Sequence, residues 1–429
     1  MTKINFLKIS KLLLYLVPFS ALIVSRSTLF PFIVGKYVFF RVVVELALIF
    51  FLWAWARGET KTLNLKSKIL NPLVIAVSVF VLIFILAGFF GYNPSASFWS
   101  NFERGEGGLQ ILHLFAFFIL AVLLFKDKKD WGRVFLISVL VAVLVVVYGF
   151  AAALKISGFI GPGFCERVAG SLGNSAYLGT YMIYALFFVA LLFCQEIKKR
   201  NKWFLSGLMV LFFVFFILSQ TRGAFLGLGV GIIAGLFYLS FYLPARRKII
   251  LAAVVVLIIS GGVAFKFHQS INLIPFCPGS NRLLDFSVQT ETFQTRLSLW
   301  EQSIKILKER PILGWGPENF SPAIEKYHLL EFTVWFDRAH NIFFDYLTTT
   351  GILGLLSYLS IFIVFYWQFF KKTPINADKN SCLQNALIFA LPVAYLVQGL
   401  VLFEVLPIYI NLFLFLAFAV YKFNNFNYE

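Results

Sequence analysis

Apolar stretches of about twenty residues recur along this chain, and no other feature restricts its fold as strongly. A helix rises about 1.5 Å per residue, so each stretch reaches across a bilayer core of roughly 30 Å. Transmembrane strands need only about half that length, which leaves a barrel without support. With 60% of 429 residues apolar, the chain also holds more hydrocarbon than one soluble core could bury. The predicted fold is all-α, a polytopic membrane helix bundle of about twelve spans. These are 9–25, 37–56, 72–91, 108–125, 132–151, 176–194, 203–219, 223–241, 249–265, 341–366, 383–403 and 408–422. The first stretch has no small-residue cleavage site near Ser25 to Thr28, so it reads as a span rather than a removed signal peptide.

The net charge of +17 would suggest nucleic acid in a soluble protein. Here the basic residues, among them Lys66, Lys68, Lys128, Lys199, Arg200, Arg246 and Lys371, fall in alternate gaps between spans. Those gaps are therefore cytoplasmic, and no nucleic-acid partner is implied. An even number of crossings puts both termini in the cytoplasm. The gap 266–340 lies outside and is far longer than an ordinary connection, which marks it as functional or as carrying structure of its own.

Within that loop, 296–310 reads as a helix with Leu297, Trp300, Ile304 and Leu307 on its apolar face and Pro311 after its end. Glu301 and Lys305 form a spaced pair on the wetter side. Gly223, Gly227, Gly231 and Gly235 recur every four residues and give the eighth span a bare stripe for close helix packing. Cys165 and Cys277 both fall outside, where a disulfide persists; unpaired thiols fit the sequence equally well.

Arginines on the outside run against the orientation rule and ask for a reason: Arg104, Arg167, Arg222, Arg282, Arg296 and Arg338. Arg222 sits in a three-residue turn between two spans. A snorkelling side chain would explain one such residue; an anion site would use the guanidinium fork on phosphate oxygens. Arg296 shares the apolar face of its helix, and Glu103, Glu291 or a substrate phosphate could balance its charge. His113 and His268 lie in or beside spans and read as packed side chains. His340 lies at the outer mouth of the tenth span, with Asp337 as its expected cap, and the helix dipole there favours the neutral imidazole that a general base needs. No Asp-x-Asp pair, His-Glu-x-x-His helix or Walker loop is present, so neither metal nor cofactor is implied.

Three blocks of residues resemble the O-antigen ligase and polymerase superfamily of bacterial membrane proteins, which includes protein O-oligosaccharyltransferases. They are Ser219-Gln220-Thr221-Arg222-Gly223-Ala224, then Arg296 to Trp300 with Glu309 to Phe320, then Ala339-His340-Asn341 with Gly351 to Gly354. The blocks lie in order across about 205–360. Phe98 to Arg104 resembles an aromatic outer loop of the family, and Gly173-Asn174 its turn before a span, without the usual proline. Thr221 stands where the family commonly has serine.

The resemblance implies a GT-C-like, metal-independent transfer at the outer face of a bacterial plasma membrane. The residues matching its motifs imply that Arg222 and Arg296 hold the diphosphate of a polyprenyl-diphosphate-linked glycan, while His340 activates an acceptor hydroxyl. Arg104 and Arg338 are second-rank candidates, Arg338 through its adjacency to the motif alone. The acceptor, whether lipid, growing glycan or protein, is open, so a chain polymerase or protein O-oligosaccharyltransferase is the alternative. A small-anion transporter is the alternative of another class.

Overall fold

The computed structural model describes residues 5–101, 104–196, 198–267, 283, 291–326, 336–373 and 378–425. Among them the chain forms α1 (Phe6–Leu14), α2 (Val34–Ala56), α3 (Leu65–Ile69), α4 (Pro72–Phe89), α5 (Pro94–Trp99), α6 (Gly108–Leu124), α7 (Lys128–Ala153) and α8 (Ser175–Gln195). There follow α9 (Lys199–Leu218), α10 (Arg222–Tyr242), α11 (Arg247–Lys266), α12 (Glu291–Glu309), α13 (Phe320–Glu325), α14 (Ile342–Lys372), α15 (Lys379–Gly399) and α16 (Leu406–Asn425). No strand forms among the described residues.

Ten helical segments are long and apolar enough to cross a membrane, and α6 is an apolar helix just short of that length. The chain is an all-α membrane protein. The first expected span, 9–25, is instead two pieces, α1 and a tight 3₁₀ turn from Val17 to Leu22. Pro18 stands at the start of that turn, where it offers no N–H to continue the α1 ladder.

The chain divides into two compact units. The first comprises Met1–Arg133, Gln289–Lys372 and Phe403–Glu429. In it α4 lies along α14, α1 along α2, and α6 beside α16. Phe80 packs at 5.6 Å from Tyr358, whose ring lies 4.4 Å from Tyr346, so α4 meets α14 through an aromatic layer. Lys11 reaches Asp130 at 2.9 Å and ties the N-terminal helix to the start of α7. The 31-residue α14 is broken at Gly351, whose φ of 68° only glycine adopts cheaply.

The second unit comprises Val134–Val288 and Thr373–Leu402. Its central contact is α10 on α15. A Cβ on Gly223 would collide with Val401, one on Gly227 would stand 2.6 Å from the Ala394 carbonyl oxygen, and one on Gly231 2.8 Å from the Ala394 Cβ. The glycine stripe is thus a packing face, as its spacing predicts. Gln398 donates to the Thr180 hydroxyl at 2.7 Å and links α15 to α8. The N-terminus of α8 is shaped by Gly173 at φ 78° and by Asn174, which accepts from the Ala176 N–H.

Candidate active site

In the first unit, residues 336 to 341 form no regular structure, yet most are bonded in place. Asp337 accepts from Arg104 Nε at 2.5 Å and Nη2 at 3.1 Å, a bidentate pair. The Arg104 guanidinium also lies 4.9 Å over the ring of Phe403. Arg338 pairs with Glu318, and with Glu106 at 3.3 Å. The Ala339 N–H donates to Asp345 at 2.6 Å, and its carbonyl accepts from the Trp300 indole at 3.0 Å.

His340 follows in the left-handed region, at φ 52°. Its Nδ1 stands 3.2 Å from the Arg338 carbonyl oxygen. A carbonyl can only accept, so Nδ1 carries the proton and Nε2 carries the lone pair. The ring edge meets Phe403 at 5.0 Å and Phe336 at 5.8 Å. Burial, the largest influence, lowers the His340 pKa; the bond to the Arg338 carbonyl opposes it, and the charge of Arg296 lowers it further. The ring is therefore poised in the neutral form near pH 7.

The expected cap of α14 is corrected here. Asp337 is occupied by Arg104, and Asn341 instead accepts from the N–H groups of Phe343 and Phe344 at 2.9 and 3.4 Å. Burial disfavours the Asp337 carboxylate, but the hydrogen bond and charge of Arg104 outweigh it and hold the pKa below the usual range. Arg338 also loses by burial, and Glu318 and Glu106 more than compensate, so it stays charged. Glu106 is raised to about 7, first by burial, with Arg338 and Arg104 opposing.

The blocks around 309–320 and 351–354 meet at the backbone. The Trp315 and Gly316 N–H groups donate to the Thr348 and Thr349 carbonyls at 2.9 and 2.8 Å. In return, Ile352 and Leu353 donate to the Pro311 and Ile312 carbonyls at 2.9 and 3.2 Å. The break at Gly351 frees these groups, and the loop satisfies them, as buried backbone polar groups require. A Cβ at Gly314 would stand 2.6 Å from both the Gly351 nitrogen and the Thr348 oxygen, which explains the glycine there. Tyr92 donates to the Trp315 carbonyl at 2.7 Å, and Ser97 to that of Pro317 at 2.8 Å, so the aromatic loop before Arg104 is seated on the same segment.

The helix expected at 296–310 is α12, and Glu301 pairs with Lys305 at 3.1 Å. Its phase differs from the expectation. Leu299, Ser303 and Ile306 are fully buried, packed with Trp315, Phe320 and Ala339, whereas Leu297 and Ile304 are 40% and 46% exposed. At 100° per residue Arg296 lies about 20° from Ser303 and about 60° from Leu299, so it remains on the buried side. Glu103 and the Glu291 side chain, its expected partners, lie outside the described residues, as do Arg282 and His268.

In the second unit Arg222 opens α10, directly after its N-cap Thr221. Gln220 stands at φ 47°, and the Thr221 hydroxyl donates to the Ser175 carbonyl at 3.0 Å. Arg167 Nε reaches the Ser219 carbonyl at 3.3 Å, so a second arginine supports this turn. Gly179 lets the turn approach α8: a Cβ there would meet Ser219 Oγ at 3.0 Å. Cys165 takes part in a disulfide, while Cys194 and Cys382 are not disulfide-bonded; Cys277 lies outside the described residues.

Sequence reasoning singled out the arginines and His340 as candidates and did not single out Glu106, Glu318 and Asp345, which hold that segment. Glu318 falls inside the Gly-Trp-Gly-Pro-Glu-Asn run, and that position was the available signal.

Comparison with known proteins finds similarity over part of the chain. The exopolysaccharide production protein ExoQ of Rhizobium meliloti is 24% identical over 257 residues, 57% of this chain and 54% of its own length. An uncharacterised protein of Haemophilus influenzae is 21% identical over 234 residues, 51% and 56% of the two chains. A general O-oligosaccharyltransferase of Acinetobacter baylyi is 25% identical over 213 residues, 48% and 36%. The matched part thus spans about half or less of each relative. The family model described as O-antigen ligase matches residues 207–359, which include Arg222, Arg296 and His340. The likeness to the O-antigen ligase superfamily is carried by this region.

Proposed function

We propose that the protein transfers a glycan from a polyprenyl-diphosphate carrier to an acceptor hydroxyl at the outer face of a bacterial plasma membrane. The observation that carries the reading is the state of His340: proton fixed on Nδ1, neutral through burial, Nε2 left as a base. The acceptor O–H gives its proton to Nε2, its oxygen bonds to the anomeric carbon, and the bond from that carbon to the diphosphate oxygen breaks. The electron pair leaves with the diphosphate, whose charge Arg222 and Arg296 stabilise. One displacement inverts the anomeric configuration.

The family likeness and the names of two relatives, one in exopolysaccharide production and one an O-oligosaccharyltransferase, support the glycan class. The test is single-turnover transfer by purified protein from a defined polyprenyl-diphosphate glycan, offered in parallel a lipid-core, a glycan and a protein acceptor. Mass spectrometry of the products identifies the acceptor. Absence of transfer to all three, with donor bound, overturns the reading.

A further inference from the structure

Arg338 was a second-rank candidate by sequence, and its surroundings suit a task other than substrate contact. Its side chain is 11% exposed, and Glu106 and Glu318 are 7% and 3% exposed. Two buried carboxylates flank one guanidinium, so a diphosphate approaching it would meet acidic charge. Glu318 is itself aimed: it stands at φ 65° in the turn after Gly316, and Ser100 donates to its other oxygen at 2.7 Å. The Ser100 hydroxyl in turn accepts from the Glu106 N–H at 3.0 Å, which places the two acids as one jaw.

The backbone carbonyl of Arg338 accepts from His340 Nδ1, so any shift of residue 338 moves the ring's partner. His340 also holds a left-handed backbone that a non-glycine residue adopts at a cost of about 1 kcal/mol or more, and such strain persists only where neighbours impose it. We propose that Arg338, clamped between Glu318 and Glu106, is a positioning residue that presents His340 with Nε2 as its basic nitrogen. The proposal rests on the reading of His340 as the base. Arg338 does not touch the substrate; it acts through the carbonyl that orients the ring.

Removing one member alone would strand buried charge, so the main variant neutralises all three: Arg338→Met with Glu106→Gln and Glu318→Gln. Glu318→Gln alone, which keeps the pair with Glu106, serves where the triple variant does not fold. Arg338→Lys keeps the charge without the fork. Three quantities are read in detergent: binding of undecaprenyl diphosphate, the single-turnover rate of bound donor, and the ¹⁵N spectrum of histidine-labelled protein, with His340 assigned by its alanine variant.

The clamp predicts binding within about twofold of wild type and turnover lowered about tenfold to a hundredfold, the usual scale for a residue that orients a functional histidine. It also predicts a His340 spectrum that loses its fixed Nδ1–H form, with Arg338→Lys between the extremes. Lost donor binding with normal turnover of bound donor would make Arg338 a donor ligand and overturn the proposal. So would an unchanged tautomer with normal turnover. Normal turnover in His340→Ala would remove the base reading instead, and the spectrum would still report whether the clamp sets the ring.

Discussion

His340 Nδ1 and the Arg338 carbonyl oxygen, 3.2 Å apart, divide the two nitrogens of one ring into a donor and a base. The base form is the neutral one, and its fraction falls as pH drops through the His340 pKa. Burial first, and Arg296 beyond the opposing carbonyl bond, hold that pKa below the ordinary value of 6.5. Turnover is therefore expected to be level near pH 7 and to fall only at more acid pH than a free imidazole would. In Arg296→Gln the acid limb moves to higher pH. His340→Ala should bind donor normally and lose at least about a hundredfold in turnover. Single-turnover rates from pH 5 to 8.5 check all three statements.

Arg222→Ala and Arg296→Ala should each lower transfer by about tenfold to a hundredfold, since hydrogen bonds to a charged group contribute roughly 1.5 to 3 kcal/mol. Lysine at either place should restore only part, because the fork is lost. Residues that share one diphosphate lose less together than the product of their separate losses. A double-mutant cycle on donor affinity, normalised to protein abundance in the membrane, measures that coupling. Strict additivity would separate the two sites.

Two glycines a short step apart on α10 should respond oppositely to alanine. At Gly227 a new Cβ would stand 2.6 Å from the Ala394 carbonyl oxygen, whereas at Gly229 nothing lies within 4 Å. Gly227→Ala should therefore lower the thermal midpoint in detergent. Gly229→Ala should leave it unchanged or raise it, since alanine is favoured over glycine by about 1 kcal/mol in a helix.

The orientation expected from the basic gaps would put Leu29 and Ser157 outside and Lys66 and Arg200 inside, and all four are exposed. In a background without native cysteines, single cysteines at the first pair should react with an impermeant thiol reagent on intact cells. Those at the second pair should react only after permeabilisation. The reverse pattern would invert the arrangement.

Much of this was legible in the sequence because lipid imposes a one-dimensional code: long apolar runs, a glycine every fourth residue and arginines in the gaps. The phase of α12 was not legible. Its apolar residues are spread around the helix, and contact with Trp315 and Phe320, distant in the pattern, chose Leu299 and Ile306 over Leu297 and Ile304. Asp337 read by sequence as a helix cap, and only the seating of the loop before Arg104 made it an ion partner instead. Glu106 could not be linked to Arg338, because nothing local relates residues so far apart in the chain.

Crossed main-chain bonds between 311–316 and 348–353 fasten the loop to the helix that begins beside His340. Exchanging an exposed side chain does not cut them, so the spacing between α12 and the histidine is counted in peptide units. Ile312, 64% exposed, is free to vary in kind. One residue added or removed between Pro311 and Gly316 would shift every bond of the crossing by a step and carry Arg296 with it. Intolerance to insertion should therefore extend even to Ile312, where substitution is tolerated.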